Sequence, residues 1–398
     1  MKGGNPVVKK QDTIIKSFSF SYFMTMALVI SFFPLYYDSL GFSKLQIGSL
    51  YSIGPAVGIV SNLVWGLLSD RFQTLKKTII AVLFGQLVMV LLLFNTDVYS
   101  IMFVIVTGFY FFQTPLNGLN DSQILLHVKE TGKSYASFRM WGSMGFAIAA
   151  VLCGVVLTQL GIGILGGLAI GSVSLSLILS FCLKDRKAGM KKMELGGVWK
   201  VVLRGRFLWF LVLVLVMSVS HRANDGFLST YMKELGATRD LVGYAWMTSA
   251  LSEVPILFYL SKYGHKYREL PLLGVACAVY FLRFLLMSVV DGPWWVIPIQ
   301  TLHSLSFGIF LVTAFRYLQQ LVPDEYRATG QAVFNMTWSG CAGLISGFAG
   351  GRIYDAWGGA SLYRYAAFTA LIAFAGFMGT HLYQRNRDDA PSNISKGA

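Results

Sequence analysis

Nine ionisable residues stand inside otherwise apolar runs: Asp121, Arg139, His221, Arg222, Asp225, Glu253, Arg283, His303 and Arg316. A charge surrounded by hydrocarbon costs roughly 2.5–3.5 kcal/mol on insertion scales, so such groups persist where they pair, meet water or act. Their spacing suggests the chemistry. His221 and Arg222 lie one turn before Asp225, so either cation can reach that carboxylate. Asp121 and Arg139 flank a short polar hairpin, which lets adjacent antiparallel helices bring them together. A carboxylate–guanidinium pair makes directional hydrogen bonds that can be handed to a hydroxyl or carboxylate of a small molecule. Glu253, Arg283 and His303 fall on three successive apolar segments and supply an acid, a permanent positive charge and a group titrating near neutrality. A carboxyl and an imidazole each have two charge states, so this set could accept and release a proton, with Asp225 as a further acid. Each group also has a structural reading. Asp121 and Arg139 could form a fixed salt bridge, and His221 and Arg316 could reach the interface from helix ends. Asn117, Asn120 and Asn224 add amides that need partners inside a bundle and are candidates for binding a small molecule.

The elements that must position these residues are membrane helices. The 398 residues are 55% hydrophobic and 13% charged, against about 25% charged in a soluble domain. Runs such as "SIMFVIVTGFYFF" from Ser100 and "FLWFLVLVLVMSVS" from Phe207 are too apolar for a surface helix. A crossing helix needs about 20 such residues, whereas β-barrel strands alternate with period two in short segments. The expected fold is therefore an all-α integral membrane protein with twelve spans, at 18–37, 45–68, 77–94, 99–126, 135–158, 162–183, 207–232, 240–262, 271–290, 294–321, 328–351 and 361–384. The one long connection divides them into a six-helix bundle at 1–183, a linker at 184–206 and a second six-helix bundle at 207–398.

The net charge of +14 does not point to nucleic acid. Most lysines and arginines fall on one side of this topology, including Lys9, Lys10, Arg71, Lys76, Lys77, Lys129, Lys133, Lys184 and Arg186, so the positive-inside rule puts both termini and the linker in the cytoplasm. The first apolar run follows a basic segment and lacks a small-residue cleavage site, so it reads as a span of a multi-pass cell-membrane protein. Pro34 should kink its outer end. The four cysteines lie in apolar runs without metal-ligand spacing and read as small hydrophobes. No histidine pattern suggests a metal, and the connections leave no room for a soluble output domain. A membrane enzyme and a sensor are both disfavoured, and no cofactor is expected beyond a coupling proton.

Short motifs then bring in a family. "GLLSDRFQTLKK", from Gly66 through Asp70 and Arg71, resembles the loop between the second and third spans of major facilitator transporters, a gating and packing element. "VPDEYRATGQA" and "GGRIYDAWGG" resemble later loops of that superfamily. "YASFRMWGSMGFA" is similar to the segment of the lactose and phenylpropionate permeases that carries a binding arginine, which would be Arg139. "NGLNDSQ" places Asp121 at their acid on the fourth span. "SALSEVPILF", "VYFLRFLLMS" and "IQTLHSLSFGIFLVTAFRY" place Glu253, Arg283 and His303 at an acid, an arginine and a histidine of theirs. The resemblance implies two pseudo-symmetric bundles, a midplane site between them and a proton-coupled, monomeric symporter working by alternating access. Departures bear on specificity. Ser306 stands where lactose permease has a second acid, Phe146 replaces its sugar-stacking tryptophan, and "NMTWSGCAG" lacks its lysine. The expected cargo is a small organic solute such as a sugar, a nucleoside or an aromatic carboxylate, received near Asp121, Arg139, Arg222 and the three asparagines. A proton-driven exporter of drugs or metabolites is the alternative, disfavoured because the fifth span lacks the proline–glycine motif of many exporters.

Overall fold

The computed structural model describes residues 6–186, 205–323 and 326–388. A few side chains within these ranges, that of Asp70 among them, lie outside the described residues. No strand occurs among the described residues, and eleven helical stretches are long and apolar enough to cross a membrane. The count differs from the expected twelve because the last stretch, Gly330–Asn386, runs 57 residues without a loop. It is broken at one residue, Gly358, whose φ of 78° and ψ of 172° are non-helical. Glycine tolerates this conformation at little cost, and the two expected final spans lie on either side of it.

The chain begins with α1 (Pro6–Ser31) and α2 (Phe33–Ser39). The expected kink falls at Phe32, and Pro34 sits in the first turn of α2, where its missing N–H leaves no bond unmade. Next come α3 (Lys44–Phe72), α4 (Leu75–Leu93), α5 (Tyr99–Gln113), α6 (Pro115–Thr131), α7 (Ala136–Leu160) and α8 (Leu165–Phe181). Pro115 bends the expected fourth span into α5 and α6 by the same device. After the linker stand α9 (Gly205–Glu234), α10 (Arg239–Tyr263), α11 (Glu269–Val289) and α12 (Pro293–Gln300). Then come α13 (Ile309–Leu321), α14 (Arg327–Asn335) and α15 (Ala342–Asp388). Two π turns, Ser304–Gly308 and Met336–Cys341, interrupt the helices that carry His303 and Trp338.

Alternating directions return the chain to one end of the molecule. There Gln11 Nε2 donates to the carbonyl of Cys182 (3.3 Å), and Trp209 Nε1 donates to Thr380 Oγ1 (2.9 Å). The start of the linker is tied down at this end. The buried Arg186 donates to Gln123 Oε1 (2.9 Å) and to His127 Nδ1 (2.8 Å), and His127 Nε2 meets Asp12 Oδ1 at 2.6 Å. Lys133 also pairs with Asp12.

Helices before the linker meet those after it at the opposite, far end. A Cβ on Gly48 of α3 would lie 2.2 Å from the carbonyl oxygen of Gly347 of α15, and one on Gly243 of α10 would lie 2.2 Å from that of Ala150 of α7. In lipid, packing of this kind depends on small residues that let backbones approach. Beyond Ile59, α3 turns Leu63 and Leu67 outward, each more than half exposed.

Within the N-terminal helices, α1 crosses α7 over Gly145, where a Cβ would sit 2.2 Å from the carbonyl oxygen of Phe20. The obstacle is backbone, so it cannot swing aside. Gly145→Ala should cost about 1–3 kcal/mol through overpacking, seen as a lower Tm of the detergent-solubilised protein than for Gly167→Ala, whose Cβ would meet nothing within 4 Å.

Candidate functional site

The three C-terminal residues expected to act together do meet. Arg283 on α11 is wholly buried. One guanidinium nitrogen, Nη1, lies 3.0 Å from His303 Nδ1, and Nη2 donates to Gln300 Oε1. His303 Nε2 lies 2.9 Å from Glu253 Oε1 on α10. Arginine has only donors, so His303 Nδ1 must be the acceptor, and a neutral imidazole then carries its hydrogen on Nε2. The tautomer is thus assigned by the network: His303 donates to the carboxylate of Glu253. A doubly protonated His303 would direct an N–H at the guanidinium. The set is graded toward the exterior, with Arg283 at 0% exposure and the Glu253 side chain at 25%. The carboxylate is therefore also the most accessible of the three.

Gln300 escaped the sequence reading because a neutral amide in a span is not conspicuous. Its place one turn before His303 is the signal that could have found it. Its oxygen also accepts from Ser249 Oγ (3.0 Å), which ties α10 to α12 beneath the arginine. Ser306, standing where an acid would be in lactose permease, turns back to its own helix and donates to the carbonyls of Leu302 (2.8 Å) and His303 (3.1 Å).

A second cluster lies alongside. On α9, Asp225 Oδ2 is 3.5 Å from His221 Nε2 and 3.4 Å from Arg222 Nη1, the spacing expected from one helical face. Arg222 Nη2 also donates to Ser339 Oγ (2.6 Å) in the second π turn. Aromatic stacking joins the two clusters. Phe307 lies 5.0 Å from the His303 ring and 4.7 Å from the His221 ring, nearly parallel to both, and Trp338 is 5.2 Å from His221. The buried Asn224 accepts from Tyr363 (3.3 Å), so its oxygen is engaged within the C-terminal helices.

The N-terminal side departs from expectation. Asp121 and Arg139 do not pair directly. Tyr135, the residue before α7, engages both, donating to Asp121 Oδ1 at 2.9 Å and lying beside the guanidinium of Arg139. The physical reason is the hairpin, whose final residue places an aromatic hydroxyl against the middle of α6. Arg139 lies over the face of Phe23, 4.2 Å from its centroid, a cation–π contact that fixes the guanidinium without neutralising it. Asn117 is exposed, whereas Asn120 is buried and accepts from Ser19 Oγ (2.8 Å). Gly66 and the exposed Arg71 lie near the end of α3, away from these clusters, as a packing motif would.

Facing helices set the level of the site. Phe146 of α7 and Trp246 of α10 meet edge to face, 6.2 Å between centroids. Phe146 lies seven residues beyond Arg139, and Trp246 lies seven before Glu253. The helices run in opposite directions, so Arg139 and Glu253 stand at one level on opposing walls, about 10 Å below this aromatic contact at 1.5 Å per residue. Phe146 therefore roofs the site.

Gln300→Leu removes the acceptor of a buried charge, and its cost should be about 1–3 kcal/mol, read as a fall in Tm. His303→Gln, which can still offer an oxygen to Arg283, should lower Tm less.

The MFS_1 like family matches residues 13–365. The uncharacterized transporter YwbF of Bacillus subtilis (strain 168) is 24% identical over 95% of this chain and 94% of its own. The maltose permease of Geobacillus stearothermophilus is 23% identical, covering 91% and 92%. The probable 3-phenylpropionic acid transporter of Escherichia coli (strain K12) is 24% identical, covering 83% and 88%. Among solved structures, a point mutant of the nucleoside transporter NupG superposes with a TM-score of 0.84 at 16% identity, covering 93% of this chain and 99% of that one. The fold is thus that of the major facilitators, and the relatives are permeases rather than enzymes. A polytopic membrane transporter for a small solute, the chain belongs to the MFS_1 like family.

Proposed function

We propose that the chain is a proton-coupled symporter of the cell membrane, importing a small organic solute by alternating access as a monomer with both termini in the cytoplasm. Counting the helices on either side of Gly358 separately makes twelve spans in two six-helix bundles, 1–183 and 207–398, joined by the 184–206 linker. The far end is then extracellular, and backbone contact between the bundles closes it.

The observation that carries this reading is the ordered set Arg283–His303–Glu253 facing Arg139 at one level. Glu253 takes the proton. Arg283 is permanently charged and donates to His303 Nδ1, which leaves Nε2 to donate to Glu253. As a carboxylate, Glu253 accepts from His303 Nε2. On protonation it gains a donor of its own, which can be offered to a solute oxygen, while Arg139 supplies guanidinium donors from the facing wall. Proton and solute thus enter one site through one carboxyl, which couples them. With inward flow the membrane potential adds about 2.3 kcal/mol per charge per 100 mV. Maltose, 3-phenylpropionic acid and nucleosides are what the named relatives carry. All offer oxygen acceptors to a guanidinium and a flat or ringed apolar face to Phe146. Asp121, held by Tyr135, orients the entrance of the same wall.

The test is uptake into proteoliposomes across a panel of sugars, nucleosides and aromatic acids under an imposed inward proton gradient. One solute should accumulate. If none does, and one instead leaves against incoming protons, symport is wrong. Glu253→Gln should abolish gradient-driven accumulation while retaining solute exchange. Unimpaired accumulation would remove Glu253 from the proton path. Arg139→Ala should raise the half-saturating solute concentration at least tenfold, about 1.4 kcal/mol.

A further inference from the structure

The two passages where the bundles touch at the far end are built alike. At the start of α3, Ser43 and Gln46 cap one another: Gln46 N donates to Ser43 Oγ (3.2 Å), and Ser43 N donates to Gln46 Oε1 (2.9 Å). The first helical bond is from Ile47 N to the carbonyl of Ser43 (2.9 Å). That leaves the amides of Lys44 and Leu45 without a partner on their own helix. Both go to the other bundle, where Asp355 of α15 takes Lys44 N on Oδ1 and Leu45 N on Oδ2, each at 2.8 Å. At the start of α10 the roles of the bundles are exchanged. Asp240 N donates to Thr158 Oγ1 of α7 (3.0 Å), Thr158 Oγ1 donates to Asp240 Oδ1 (3.1 Å), and Arg239 Nη1 donates to the carbonyl of Leu157 (2.8 Å).

Each capping residue follows a glycine by four positions, Gly154 before Thr158 and Gly351 before Asp355. A Cβ on Gly154 would stand 2.7 Å from the carbonyl oxygen of Arg239, and one on Gly351 would stand 2.7 Å from that of Lys44. Glycine admits the foreign helix start, and the residue one turn on caps it. The ion pairs at this end are weaker clasps. Asp38 meets Lys233 and Lys44 lies 3.8 Å from Glu234 across the bundles, but Lys233 and Glu234 are exposed, where salt and water screen the attraction.

We propose that Asp355 and Thr158 are the positioning residues of the extracellular gate. Each completes, in trans, the N-terminus of a helix in the opposite bundle, so opening the gate uncaps two helices at once. The proposal rests on the alternating-access reading above. Asp355 holds two amides and carries charge toward the positive helix end, whereas Thr158 holds one amide. The α3–α15 passage is therefore the stronger of the two.

The experiment measures gate opening without substrate. Spin labels at Asp97 and Asp291, exposed far-end positions in different bundles, are introduced into the full chain with its four native cysteines replaced. Their distance distribution is read by double electron–electron resonance in nanodiscs. Asp355→Ala should raise the long-distance population relative to the short one by about fivefold to tenfold. Asp355→Asn, which can still accept, should raise it less, and Thr158→Ala less than Asp355→Ala. Thr158→Ser should restore the parent distribution. If Asp355→Ala cannot be purified folded, Asp355→Asn and Thr158→Ala carry the test. Parent-like distributions in all folded alanine and asparagine variants overturn the proposal. The distances need no solute or proton, so failure of symport in liposomes leaves this result standing, and the reverse also holds.

Discussion

A guanidinium with no exposure at all, that of Arg283, is the constraint around which the C-terminal bundle is organised. Moving a permanent charge out of water costs several kcal/mol even after relaxation, and partners must offset it. Gln300 and His303 accept from it, Phe284 offers a ring face at 5.5 Å, and the countercharge of Glu253 arrives through the imidazole. The arrangement also decides chemistry. A cation that can only donate fixes the tautomer of His303, and the fixed tautomer turns His303 into a donor aimed at one carboxylate. The hydrogen bonds that offset the buried charge thus also set the direction of the one between His303 and Glu253.

The N-terminal bundle contains the same sequence of contacts in another setting. Arg186 donates to Gln123 and His127, and His127 meets Asp12, as Arg283 does with Gln300, His303 and Glu253. The surroundings separate their roles. Asp12 has a second cation in Lys133, and Arg186 has a carboxylate of its own in Glu130, 3.3 Å away. Every charge there is matched locally, which suits a bolt that fixes the start of the linker. Glu253 has no second cation among its described partners.

Much of this is legible in the sequence, for a simple reason: a charge in an apolar run is conspicuous, and an apolar run of sufficient length has few alternatives to a membrane helix. Glu253, Arg283 and His303 stand out in this way, as do the spans. Three kinds of fact do not. Neutral polar residues such as Gln300, Ser339 and Tyr135 are inconspicuous by type, although they decide where the charged groups point. The separation of Asp121 from Arg139 permits a direct pair, but nothing in that spacing reveals a tyrosine that engages both. The shared level of Arg139 and Glu253 depends on which helices face one another, a property of two distant segments that periodicity within either cannot report.

The bundles share one sort of irregular turn, and the second adds another. Breaks at Phe32 and Thr114 in the first adjoin prolines, which cannot regain the missing donor. The second has a proline-linked break of its own, at Thr301 after Pro298, and a glycine break at Gly358, and it adds two π turns, after His303 and after Asn335, made of residues that all keep their amides. A π turn can revert to α by dropping one residue from the turn, and each residue of register rotates the downstream helix by about 100°. Among the described residues only the second bundle thus holds slack of this kind, beside His303 and Trp338. The two walls of the site differ in compliance: the second can rotate the helix that follows His303 without unfolding it.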